Sequence, residues 1–187
     1  MLKRSDIKKE AAKIVNEELT VDNSLFLYHD VCTNGIGYVD LMFKTDSIAP
    51  EQIPYLGLLK SVLGYVDTEN YTYGELFNEI NANTGGINCG VEVFDRADST
   101  EEFQAMFSVR GKALYTKMDF LFKMIGEILN SSKLEDTKRL YEIVASVKSR
   151  AQVNLTGAGH STAVLRAAAY SSPMAAFQDE MAGIGYY

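Results

Sequence analysis

Two pairs of short segments with two-residue hydrophobic alternation, separated by a pair of helical stretches, constrain this chain more than any other feature. In "SLFLYHDV" (24–31) Leu25, Leu27 and His29 alternate with Phe26, Tyr28 and Asp30, and in "GIGYVDLMF" (35–43) Val39, Leu41 and Phe43 share a face. Period two among β-branched and aromatic residues predicts strands. Between them Cys32-Thr33-Asn34-Gly35 contains Asn-Gly, suited to positive φ, which predicts a hairpin or a tight bend. In the second pair Ile87, Cys89, Val91 and Val93 alternate with polar neighbours, as do Phe103, Ala105, Phe107 and Val109. The polar run from Asp95 to Glu102 predicts the hairpin loop that joins them.

The intervening stretches repeat at helical spacing. From Pro50 to about Val66, Leu56, Leu59, Leu63 and Val66 form one apolar row, with Leu58 and Val62 adding a second. Pro50 or Pro54 falls in the first turn, where a missing N–H costs little. "TYGELFNEINANTGG" offers Thr72 as N-cap, Glu75 three residues later and Gly85-Gly86 as a stop. The last third is helical: one amphipathic face runs from Tyr115 to Leu129 and the next from Leu140 to Val147. Asn154 to Gly159 interrupts the pattern, "STAVLRAAAY" resumes it, Ser171-Ser172-Pro173 stops it, and residues 174 to 182 predict a short terminal helix.

This order, ββααββαααα, predicts an α+β fold with an antiparallel-rich sheet carrying helices on one face. Residues 5–18 open on Ser5 as an N-cap and are charged nearly all round, which suggests a linker helix. The organisation expected is therefore a linker helix over 1–22 and a single α+β domain over 23–187.

Composition narrows the functional classes. Of the 187 residues 47% are apolar, and nine Phe and eleven Tyr supply a core. A net charge of −7 speaks against nucleic acid as a partner, because phosphate contacts need clustered cations. The one basic run, Lys3, Arg4, Lys8, Lys9 and Lys13, is interleaved with Asp6 and Glu10 and reads as a solvated helix face. Two cysteines, Cys32 and Cys89, cannot make a disulfide framework, no signal-peptide pattern opens the chain, and no run approaches the roughly 18 apolar residues of a membrane helix. A cytoplasmic location without membrane contact is the resulting expectation.

Few residues offer chemistry. His29 and His160 are far apart in sequence and neither has a second histidine at i+3 to i+5, so both read as structural or surface histidines. "GHSTA" (159–163) resembles a serine nucleophile elbow, but Ala163 replaces the second glycine and a helix precedes it where an elbow needs a strand. A helix restart capped by Ser161 is the simpler account. Asp119, Glu127, Glu135, Asp136 and Glu142 lie near Lys117, Lys123, Lys138 and Arg139 on what read as exposed helix faces, so solvated ion pairs explain them. Gly85-Gly86 lacks the Lys-Ser/Thr of a phosphate loop and precedes a strand.

Longer motifs carry a resemblance. "TNGIGYVDLMF", "PYLGLLKSVLGYVDTENYTYGELFNEINANTGGI", "SVRGKALYTKMDFLFKMIGEIL", "KSR", "GHSTAVLRAAAYSSP" and "GIGYY" occur in this order. From about Asn23 onward the chain resembles the second domain of the insulinase/pitrilysin class of zinc metallopeptidases, in the presequence-protease branch. The resemblance implies one half-bowl unit of a protein built from four similar α+β units that close around a peptide. Zinc would then be held by another domain of the parent, through an inverted His-x-x-Glu-His motif. By alignment those three positions fall here on Leu58, Ser61 and Val62, none of which can act as a metal ligand or carboxylate base. The expectation is thus a non-catalytic domain, inactive alone, with no metal or catalytic residues of its own and a structural, substrate-enclosing role.

Its partners would be the other domains of the same polypeptide and, in the full enzyme, a peptide substrate. Truncation at the "GIGYY" end and dimerisation of the fragment through exposed apolar helical surface are further expectations. Two rivals stand beside this reading: a freestanding peptide-binding or scaffold protein of the same fold, and a serine hydrolase at Ser161.

Overall fold

A computed structural model of the chain describes residues 15–187, the side chain of Thr100 excepted. The chain divides into two units, one ending at Gly35 and the other running from Ile36 to Tyr187.

The described part of the first unit is a two-stranded antiparallel hairpin, β1 (Glu17–Val21) with β2 (Ser24–Tyr28), in which Val21 faces Ser24. Asp22 and Asn23 have φ of 47° and 65°, the backbone that a two-residue hairpin turn requires. The linker helix expected over 1–22 lies outside the described residues up to position 14, and Glu17–Val21 is strand. The two glutamates that make this segment look like a helix face sit instead on a ribbon whose residues are all exposed. A turn at Asn34-Gly35 is also present, with φ of 53° and 84°. It is a bend and not a hairpin, because β2 pairs with β1 while the following strand belongs to a separate sheet.

In the second unit that sheet is three-stranded and antiparallel, ordered β3 (Ile36–Lys44), β5 (Ser99–Leu114), β4 (Ile87–Arg96). Asp40 faces Arg110 and Cys89 faces Val109 across the ladders. The β4–β5 connection is tighter than the eight-residue loop predicted, since β4 continues to Arg96 and β5 begins at Ser99, with a register shift at Asp95/Arg96. Antiparallel pairing lets those polar residues stay in the ladder on exposed strand ends.

Six helices follow the chain order: α1 (Ile53–Val62), α2 (Tyr73–Asn83), α3 (Met118–Ser131), α4 (Thr137–Gly157), α5 (Gly159–Ala168) and α6 (Pro173–Ala182). The main core forms where inward residues of all three strands, Val39 and Leu41, Val109 and Ala113, Cys89 and Val91, meet Leu56 and Leu63 of the α1 segment, Leu76 of α2 and Leu121, Met124 and Ile128 of α3. The opposite sheet face carries Tyr38, Asp40, Glu92 and Arg110, so the sheet is covered by helices on one side, as its alternation requires. The predicted capping box of α2 is present, with Thr72 Oγ1 accepting from Glu75 N and Glu75 Oε2 accepting from Thr72 N at 3.0 Å.

Three other expectations need correction. The interruption predicted over Asn154–Gly159 shrinks to Ala158, because α4 runs on to Gly157 and α5 starts at Gly159. Ser161 does not cap the restart: Ala158 occupies the N-cap, without a side-chain bond, and Ser161 N donates to its carbonyl at 3.0 Å. Glu127 is buried, 8% exposed, and is no solvated partner of Lys123. Among the described residues no helix is long and apolar enough to cross a membrane.

Candidate functional site

Because α1 has two apolar faces, it is held between two layers. Leu56 and Leu63 join the core under the sheet, while Val62, together with Val66 and Ile143 of α4, forms a second buried cluster against which Leu58, Leu140 and Val147 pack. Leu58 and Val62, one helical turn apart, therefore point at α4. Neither side chain carries a lone pair that could bind a metal. Ser61, between them in sequence, lines the groove beside α4. Two aliphatic side chains and one hydroxyl do not fit a zinc site. Among the described residues no group of three or more His, Cys, Asp or Glu converges.

Gly57 sets the distance to the third neighbour of α1. A Cβ there would collide with the carbonyl oxygen of Met181, so the glycine is what allows α1 and α6 to lie in backbone contact. The "GIGYY" segment that follows α6 is organised by one side chain. Asp179, 1% exposed, accepts from Arg166 Nη1 at 2.7 Å, from Ile184 N at 3.1 Å and from Gly185 N at 3.3 Å, while its carbonyl accepts from Gly183 N and Tyr186 N. A buried carboxylate with three donors is a satisfied structural anchor.

At the other end of α1, the loop leading to α2 is clasped from both sides. Glu127 of α3 accepts from Asn70 N and Asn70 Nδ2, the shortest contact being 2.9 Å, and hydrogen bonds from Thr68 and then Asn70 hold its carboxyl below the ordinary glutamate range. Glu69 N donates to Ser131 O and Lys133 N to Asp67 O, forming a short bridge of loop to helix end. From α4, Arg139 Nε donates to Tyr65 O at 2.9 Å and its guanidinium lies 3.9 Å from the Tyr73 ring centroid.

The remaining candidates stay apart. His29 is exposed just beyond β2 and His160 is exposed in the first turn of α5. Ser161 is also exposed there, with α4 and not a strand before it, so no elbow raises its hydroxyl. Cys89 is half-buried in β4, and burial pushes its thiol up to about 11, which keeps it protonated and unreactive. Asp119 and Glu135 are exposed, Asp136 caps α4 through Arg139 N, and Glu142 pairs with Arg139 at 3.2 Å.

The burial of Asp179 and of Glu127 carries no sequence signal. Asp179 lies between Gln178 and Glu180, and Glu127 stands four residues from Lys123, so a linear reading assigns both carboxylates to solvent.

A family profile described as "Peptidase M-16C associated" matches residues 1–187. The chain is 37% identical over 187 residues to "Protein HypA" of Clostridium perfringens, covering all of this chain and 19% of that protein. It is 30% identical over 152 residues to the mitochondrial presequence protease of Yarrowia lipolytica, covering 81% of this chain and 15% of the relative. Against presequence protease 1 of Arabidopsis thaliana, chloroplastic/mitochondrial, the identity is 27% over 185 residues, 99% of this chain and 17% of the relative. The chain thus spans about a fifth or less of the length of these relatives. With its whole length matched and presequence proteases among its relatives, this chain belongs to the peptidase M-16C associated family.

Proposed function

We propose that this chain is a non-catalytic region of a zinc-dependent metalloendopeptidase that degrades peptides inside an enclosed chamber. In this reading another region of the same polypeptide holds the zinc, and the present one packs against it as a half-bowl wall. The observation that carries the proposal is α1 itself. It packs beside the sheet, where the resemblance puts the ligand-bearing helix of an active unit, and here Leu58 and Val62 pack in the cluster with Ile143. Family membership and the small share of the presequence-protease relatives that the chain spans support a part played within a longer protein.

A structural role is consistent with what the fold displays. Phe122 of α3, Tyr141 and Val153 of α4 and Val164 of α5 are exposed, apolar contacts available to neighbouring regions. Both outer strands of the sheet, β3 and β4, have one edge free of strand partners among the described residues, and such edges can pair with extended peptide independently of sequence.

The test compares this chain with the longer protein that contains it. Metal analysis and cleavage of a fluorogenic unstructured peptide should give stoichiometric zinc and turnover for the longer protein and neither for the chain alone. Zinc held tightly by the isolated chain, or peptide cleavage by it, would overturn the reading.

A further inference from the structure

We propose that the groove between α1 and α4 is a binding site for a peptide carboxylate, with Lys60 and Arg150 as the cations that receive it. Two adjoining cavities of about 270 and 390 Å³ share Lys60, Ser61 and Arg150 in their walls. The smaller one has no acidic side chain among its lining residues. In the larger, the single acid is Glu142, already engaged by Arg139.

Neither Lys60 nor Arg150 makes an ion pair with a carboxylate among the described residues, although the chain carries 25 acidic residues against 18 basic ones. In a protein with a surplus of acids, two unpaired cations that line the same cleft, where the one acidic side chain is already held by Arg139, form a focused positive field. Lys60 is half-buried, and burial holds its ammonium below the ordinary lysine range. An anion beside it offsets that desolvation.

The rest of the wall suits a peptide. Asn154 and Tyr186 offer amide and hydroxyl donors, and burial raises the Tyr186 phenol so that it remains a donor. Val147 and Leu155 supply apolar contact beside them. At the far end Gln152 Nε2 donates to the Tyr187 hydroxyl at 2.8 Å and fixes the rim. Arg150 provides the planar fork that takes a carboxylate in two parallel bonds, and Lys60 adds a point charge from the opposite helix.

The choice of a peptide as bearer of the carboxylate rests on the proposed peptidase role, whereas the anion site itself rests on the groove. The test is a calorimetric titration of the chain with an acetylated tetrapeptide ending in a free carboxylate, with its C-terminal amide, and with inorganic phosphate. A two-residue extension after Tyr187 keeps the chain's own terminal carboxylate from competing. The free acid should bind about tenfold tighter than the amide, a difference of about 1.4 kcal/mol, and Lys60→Gln and Arg150→Gln should each remove most of that preference. Unchanged melting of both variants establishes that the fold is intact.

Equal binding of acid and amide, or a preference that survives both substitutions, overturns the proposal. Phosphate bound at the groove without any binding of the peptide acid overturns its assignment to a peptide. Since only binding to this chain is read, failure here leaves the peptidase reading standing, and an inactive longer protein would leave the groove's preference standing.

Discussion

Glu127 shows how one side chain can hold a loop to a helix. Its carboxylate is buried on α3 and its bonds reach across to Asn70, in the connection between α1 and α2. Asn70→Ala removes the side-chain amide and leaves Glu127 Oε2 without its Asn70 donor, while the backbone N–H at position 70 still serves Oε1, and should cost about 1–3 kcal/mol in chemical denaturation. The pH dependence has a definite sign. Because the folded-state pKa of Glu127 lies below its unfolded value, the unfolded state binds more protons in the interval between the two. The stabilisation is complete above the ordinary glutamate pKa and is lost as pH falls through the folded value. The melting-temperature gap between the wild-type chain and Glu127→Gln should therefore be largest near neutrality and shrink on acidification below the ordinary carboxylate range. A gap constant down to the acid limit would mean that the carboxylate contributes through shape and not charge.

Among the elements, α1 is the one whose sequence says most about what it has become. Its apolar rows are legible in the spacing of Leu56, Leu59 and Leu63 on one side and Leu58 and Val62 on the other. What the spacing does not say is what covers the second row, since Ile143 lies about eighty residues away and only the packed structure brings α4 onto it. Restoring a ligand pattern tests whether the helix still has room for one. Leu58→His with Ser61→Glu and Val62→His places polar groups against Ile143, each buried polar atom costing about 1–3 kcal/mol. The melting temperature should drop, and added zinc should not restore it. Recovery with zinc would show that α4 can yield and that the site is latent.

Gly57→Ala probes the third contact, because the new methyl meets the Met181 carbonyl and forces α6 outward. Overpacking of this kind costs about 1–3 kcal/mol, against a propensity gain of under about 1 kcal/mol for alanine in a helix. Other elements separate in the same way into local and distant causes. The cap of α2 was readable because Thr72 and Glu75 satisfy each other within one turn. Strand β1 was not, because Glu17 and Glu18 precede a turn made by Asp22-Asn23, whose positive φ leaves a weaker mark in sequence than Asn-Gly.

For the whole molecule, the two units differ in what stabilises them. Every residue of the two hydrophobic clusters lies at or after Val39, while the β1–β2 ribbon has all its residues exposed, including Leu25, Phe26 and Leu27. An isolated two-stranded hairpin is marginal in water at best, whereas three strands covered by helices on one face form a cooperative core. Removing the described ribbon, residues 15–35, should leave a chain that unfolds in a single transition, with an unfolding free energy within about 0.5 kcal/mol of the full chain's by denaturant titration, the range expected for changes away from a core. Amide exchange on the full chain should show the same division, with β1 and β2 exchanging through local opening and Val109, Leu121 and Ile128 protected up to the global stability. A large loss on truncation, or protection of β2 equal to that of β5, would mean that the ribbon's apolar residues are part of the cooperative unit. The fold class was legible because alternation and helical spacing are local signals. The division at Gly35 was not, because a strand pattern reports which face is apolar and carries no record of whether anything lies against it.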